Sequence, residues 1–93
     1  MPPFPELERR RRRLLFRATH RGTHESDLLI GGFVAARLET LTAEDITALE
    51  ALLETSDPVL ADWLVGRADI PPEAETPMLR EMRAAAGVAG DEP

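Results

Sequence analysis

The chain has 93 residues, with eight prolines, six glycines, no cysteine and 43% hydrophobic residues, which describes one small soluble domain and excludes a multidomain enzyme. A chain this short buries only about 60–65% of the surface its unfolded form exposes, so a large internal active-site cavity is hard to support. The lack of cysteine removes disulfides, thiolate metal sites, iron–sulfur clusters and a cysteine nucleophile together. All the basic residues are arginine: residues 1–21 hold seven against Glu6 and Glu8, while the remainder holds four against fifteen acids, so a basic end is joined to a strongly acidic body of net charge −6 overall.

Strand signals are nearly missing and an all-α chain is predicted, as a compact five-helix bundle. Pro5 is suited to the first turn of an opening helix, with Glu6 and Glu8 near its positive end and Arg17 near its negative end. Leu7, Leu14, Leu15 and Ala18 share one face of it, and Gly22 is placed to end it in a left-handed conformation. Thr23 or Ser26 caps a second helix running to about Leu38, with Leu29, Ile30, Phe33 and Val34 inward. Thr42 and Asp45 stand in capping-box spacing before a third helix, Leu41 and Ile46 can clasp as a hydrophobic staple, and Ile46, Leu49, Leu52 and Leu53 form its inner face. Asp57-Pro58 reads as a cap followed by a helix-starting proline, with Leu60, Trp63 and Leu64 inward and Gly66 as the stop. Residues 67–75, with Pro71 and Pro72, read as an extended connection. Thr76-Pro77 repeats the capping device, and Leu79 and Met82 anchor a fifth helix. The division expected is an extension with the start of helix 1 over 1–8, one domain over 9–86 and a flexible tail over 87–93.

No apolar stretch approaches the roughly 20 residues needed to span a bilayer, and the N-terminus lacks the features of a secretory or organelle-targeting segment. A cytoplasmic protein without membrane insertion is expected.

The residues able to do chemistry are few. His20 and His24 are four apart with Glu25 adjacent, a spacing that on an unbroken helix would place two imidazoles on one face. Gly22 interrupts the helix between them and no third or fourth ligand stands nearby, so no metal site is assigned. His24, Ser26 and Asp27 have the residue types of a hydrolytic triad without its turn or geometry, and Ser26 reads as a cap. Gly31-Gly32 lies inside an apolar helix, where close helix packing explains it, not a phosphate loop. The constellation left is Arg17 to Asp27, where a basic helix end turns at glycine into an acidic helix start. Arg21 and Glu25 flank that turn, either as an arginine fork and a carboxylate offered to a partner across a glycine, or as a surface ion pair beside a helix terminator.

Arg21-Gly22-Thr23-His24-Glu25 resembles the Arg-Gly-x-x-Glu signature of the small succinate dehydrogenase assembly factors that promote covalent attachment of FAD to the flavoprotein subunit. It is preceded by the basic segment Arg12 to His20 and followed by Ser26-Asp27-Leu28-Leu29-Ile30 and Phe33. Leu52-Leu53-Glu54, Asp57-Pro58, Leu60, Trp63-Leu64, the proline-containing connection and the Met78 to Arg83 helix then come in the family's order, so the likeness covers residues 9–86. The resemblance implies a monomeric five-helix factor, not itself an enzyme, that docks on the flavin-bearing subunit of succinate dehydrogenase and in some relatives on fumarate reductase. Arg21, Gly22 and Glu25 are the motif positions of the implied docking surface, with Arg17, His24 and Asp27 as neighbours on the same face. FAD is implied as a group attached to the partner, with no cofactor held stably by this chain. The competing reading is a small helical nucleic-acid-binding regulator using Arg9 to Arg13 on phosphates, against which stand the acids Asp27, Glu44, Asp45, Glu50 and Glu54 on the helices that would face a polyanion.

Overall fold

The computed structural model describes residues 4–87, whose helices in chain order are α1 (Phe4–Thr19), α2 (His24–Arg37), α3 (Ala43–Leu52), α4 (Asp57–Leu64) and α5 (Pro77–Ala85). Short 3₁₀ turns at Leu38–Thr40 and Pro72–Ala74 join α2 to α3 and α4 to α5. No strand occurs among the described residues. The second 3₁₀ turn corrects the expectation of a wholly extended connection: the Ala74 amide donates to the Pro71 carbonyl at 2.9 Å, closing a single turn after the diproline. Residues 88–93, most of the expected tail, lie outside the described residues.

α1 packs against α2 and α3, α2 also meets α4 and α5, and α5 closes the bundle against α3 and α4. The core is mainly aliphatic, with two aromatics: Leu14 and Ala18 from α1, Ile30, Phe33 and Val34 from α2, Ile46, Leu49 and Leu52 from α3, Leu60, Trp63 and Leu64 from α4, and Leu79 and Met82 from α5 are all buried. Full burial of each large side chain contributes about 1.5–3 kcal/mol, the main driving force for a chain this small. Leu7, Leu15 and Leu29 are only partly buried at the margin of this core.

Local capping sets the helix boundaries. Thr42 and Asp45 exchange both bonds of a capping box at 3.0 and 3.1 Å, with Leu41 and Ile46 buried on either side of it. Thr76 Oγ1 accepts from the Leu79 amide at 3.1 Å with Pro77 in the first turn of α5. Of the two candidate caps for α2, Thr23 takes the role: its Oγ1 accepts from the Ser26 amide at 3.1 Å. Ser26 is therefore not a cap. It lies inside the first turn and is the one polar residue among the described residues to be fully buried. Asp57 is likewise not the cap of α4. Ser56 precedes that helix in extended conformation and Asp57 is its first residue, which frees the carboxylate for a long-range partner.

The two adjacent glycines of α2 have different roles. A Cβ on Gly31 would lie 2.6 Å from Thr19 Cγ2 and 3.3 Å from the Ala18 carbonyl oxygen, so its missing side chain lets the end of α1 approach α2 almost backbone to backbone. Gly32 faces open space, with nothing within 4 Å of such a Cβ, and close packing does not explain it.

Candidate functional site

α1 ends at Thr19 and α2 begins at His24, leaving a four-residue turn between two helices held close by Gly31. Gly22 has φ +119°, a conformation L side chains rarely adopt, so the expectation of a positive-φ glycine is met within the turn, three residues past the helix end.

Arg21 organises the turn from within. Its Nε donates to Asp57 Oδ1 at 2.6 Å, one terminal nitrogen to the Leu53 carbonyl at 2.7 Å and the other to the Thr55 carbonyl at 2.6 Å. Its own backbone amide donates to Asp27 Oδ1 at 2.7 Å. The guanidinium thus caps the carbonyls left open at the end of α3, pairs with the acid opening α4, and ties both to the α1–α2 turn. The Arg21 side chain is only 9% exposed and that of Asp57 18%, which places this ion pair among those whose desolvation must be offset by complete hydrogen bonding. The Arg21–Glu25 surface pair, one of the two alternatives for these residues, does not form, because Arg21 turns inward to Asp57, 36 positions away in sequence.

Two further arginines of α1 face the same seam. Arg10 reaches Glu50 and Thr47, both at 3.1 Å, and Arg17 reaches Glu54 at 3.0 Å. The partner numbers rise together along both segments, so α1 and α3 run in the same sense. These two pairs are more exposed than the Arg21 pair, so each contributes at most about 1 kcal/mol and serves mainly to fix register.

With Arg21 and Asp27 turned inward, Gly22, Thr23, His24 and Glu25 form a continuous exposed run. Glu25 lies in the first turn of α2, where the helix dipole favours a carboxylate, and forms no ion pair among the described residues. Two open clefts flank the run. One passes Phe16, His20, Arg21 and Glu54; the other is walled by Thr23, Glu25, Pro58 and Arg67; Asp57 lines both. Of the six residues expected at the site, Gly22, His24 and Glu25 face outward, Arg21 and Asp27 hold the turn from behind, and Arg17 is half-exposed against Glu54. His20 is drawn away from His24: its ring stacks on Phe16 with centroids 3.9 Å apart, and its Nδ1–H donates to the Phe16 carbonyl at 2.8 Å.

Sequence reasoning missed Asp57 and the Phe16–His20 stack. Asp57 stands before a proline at a helix start, which by itself is fully explained by capping; only its bond to Arg21 in the folded chain reveals its other role. The stack had a local signal, since residues four apart share a helix face, and an aromatic followed at that spacing by histidine is a pair able to meet.

The turn is held from behind by Arg21, Asp27 and Asp57 and presents outward a glycine apex, Thr23, the His24 imidazole and the Glu25 carboxylate. Residues 12–86 match the family described as flavinator of succinate dehydrogenase. The chain is 60% identical over 76 residues to the FAD assembly factor SdhE of Acetobacter pasteurianus, an alignment spanning 82% of this chain and 70% of that protein. It is 35% identical over 75 residues to the mitochondrial succinate dehydrogenase assembly factor 2 of Dictyostelium discoideum, and 32% identical over 83 residues to assembly factor 2-A of Drosophila ananassae. These alignments cover 81% and 87% of this chain and 53% of each mitochondrial protein, so the chain spans about half the length of the mitochondrial relatives it matches. The chain belongs to the succinate dehydrogenase flavinator family.

Proposed function

We propose that this protein is an assembly factor that binds the flavoprotein subunit of succinate dehydrogenase and promotes covalent attachment of FAD to it, acting in the bacterial cytoplasm as a monomer. The family match over residues 12–86 is the observation that carries this reading. The bond to be made joins the flavin 8α-methyl carbon to a histidine of the flavoprotein, and its chemistry belongs to the flavin and the partner. This chain contributes differential binding: it prefers the arrangement of flavoprotein domains in which flavin and histidine are in line, and raises the population of that arrangement.

The docking turn is Gly22 to Glu25. Arg21 and Asp27 fix its backbone, Gly22 keeps its apex free of a side chain so that a partner backbone can approach, and Glu25 accepts charge-assisted hydrogen bonds from partner donors. His24 lies within the same exposed run, and Arg17 stands near the end of α1 that leads into it. No helix among the described residues is long and apolar enough to cross a membrane. A fumarate reductase flavoprotein, with the same covalent flavin linkage, is a second client of the same surface.

The test is to express the flavoprotein subunit from the same source with and without this chain and to record flavin fluorescence of the denatured flavoprotein band, where only covalent FAD remains. Fluorescence that rises with the chain present, and fails to rise with Glu25→Ala, supports function and site together. Equal fluorescence in its presence and absence refutes the function.

A further inference from the structure

Three arginines of the N-terminal run have no partner among the described residues. Arg10 is engaged with Glu50 and Thr47, and Arg11 with the Leu41 carbonyl at 2.7 Å and with Glu8 at 3.7 Å. Arg9, Arg12 and Arg13 are exposed and make no ion pair or side-chain hydrogen bond among the described residues. Helical periodicity gathers them on one strip of α1, and Phe16 and His20 continue that strip toward the docking turn.

Phe16 is 61% exposed, with its ring held flat against His20 at an interplanar angle of 18°. An immobilised aromatic pair loses little side-chain freedom on contact, which is the property of an interface anchor. The pair also borders the cleft that contains Arg21 and Asp57, so the strip is continuous with the turn proposed above to dock on the flavoprotein.

We propose that the outer face of α1 is the second half of the docking surface: Arg9, Arg12 and Arg13 receive an acidic segment of the flavoprotein subunit, and the Phe16–His20 stack anchors the contact where it meets the turn. This rests on the docking function proposed above. The strip is one helix face wide, and Glu6 and Glu8 are exposed at its N-terminal end. A helix with its side chains is only about 10–12 Å across, and the Debye length at physiological salt is about 8 Å. A broad anionic plane, whether a lipid surface or a nucleic-acid duplex, therefore meets the acids of the molecule together with the strip. A narrow acidic segment of a folded protein meets the arginines alone. Such a contact acts chiefly on the rate of encounter, through steering, while the aromatic anchor acts on dissociation.

The experiment measures binding of the full chain to the purified flavoprotein subunit of succinate dehydrogenase from the same source over sodium chloride from about 50 to 500 mM. The proteins compared are the parent, the triple variant Arg9→Gln/Arg12→Gln/Arg13→Gln, and Phe16→Ala, each with its thermal denaturation recorded. The expected result is a parent Kd that rises with salt, and a triple variant that binds about 10- to 100-fold more weakly at low salt, mostly through slower association, with a flattened salt dependence and an unchanged melting temperature. Phe16→Ala dissociates faster at every salt concentration. A triple variant with the parent's Kd and salt dependence overturns the inference and leaves the docking function standing; a parent that does not bind the flavoprotein overturns both. Vesicles of phosphatidylglycerol and a DNA duplex are run in parallel. If the triple substitution abolishes binding to either while leaving flavoprotein binding unchanged, the acidic protein partner is the wrong assignment.

Discussion

Arg21 and Asp57, 36 residues apart in sequence, meet at 2.6 Å, and the same carboxylate stands 3.6 Å from the position a Cβ would take on Gly22. One acid therefore anchors Arg21 and forms the floor beneath Gly22. Arg21 is a positioning residue in this fold: its guanidinium and backbone amide hold the turn that presents Gly22 to Glu25 outward.

Breaking the pair should cost more than a surface ion pair. Asp57→Ala leaves a nearly buried guanidinium without its counter-charge, and a loss of about 2–4 kcal/mol is expected in chemical denaturation. Arg21→Ala leaves the Leu53 and Thr55 carbonyls and the Asp57 carboxylate unpartnered together, with a loss of similar size. A double-mutant cycle should return a coupling of at least about 1 kcal/mol, and additive losses would mean that the two residues act independently.

Glu25 should behave in the opposite way. It is exposed and has no ion-pair partner among the described residues, so Glu25→Gln is expected to change stability by no more than about 0.5 kcal/mol. Covalent flavin on the co-expressed flavoprotein should fall several-fold all the same. A variant that retains both stability and flavinylation would remove Glu25 from the docking surface.

Gly22 combines both effects. Its φ of +119° means that any side chain strains the turn, at about 1–2 kcal/mol, even though the nearest atom leaves room for a Cβ. Gly22→Ala should therefore lower the melting temperature while remaining folded at 25 °C, and flavinylation measured at that temperature should fall beyond what the folded fraction accounts for. Proportional losses would assign the glycine to folding alone.

The glycine pair of α2 offers an internal contrast. Thr19 Oγ1 is bonded to the Leu15 carbonyl at 2.8 Å, which limits how far its methyl can swing aside, so Gly31→Ala should cost about 1–3 kcal/mol. Gly32→Ala meets nothing and should raise stability by about 0.5–1 kcal/mol through helix propensity. Equal effects of the two substitutions in thermal denaturation would contradict the placement of α1 on α2.

What depended on local pattern was legible in the chain. The capping box at Thr42 and Asp45, the cap at Thr76 and the inward faces of α3 and α4 follow from spacings of three and four residues, and the structure has them where those spacings place them. What depended on long-range pairing was not. Nothing near Arg21 signals that its counter-charge sits at the start of α4, and Glu25, four residues on, was the nearest plausible partner. Gly31 and Gly32 were likewise indistinguishable until the helix was oriented. The outward spacing of Leu28, Gly32 and Ala36 is visible in retrospect, but it becomes a face only once the core beside it is known.

The seat that Gly31 provides for the end of α1 bears on how a partner is met. With Ala18 and Thr19 lying almost against the α2 backbone, the four linking residues bridge a short chord, and Arg21, Asp27 and the Gly22 conformation leave that bridge little choice of path. A loop already confined in this way surrenders little conformational freedom on contact, so more of each hydrogen bond it makes remains as affinity.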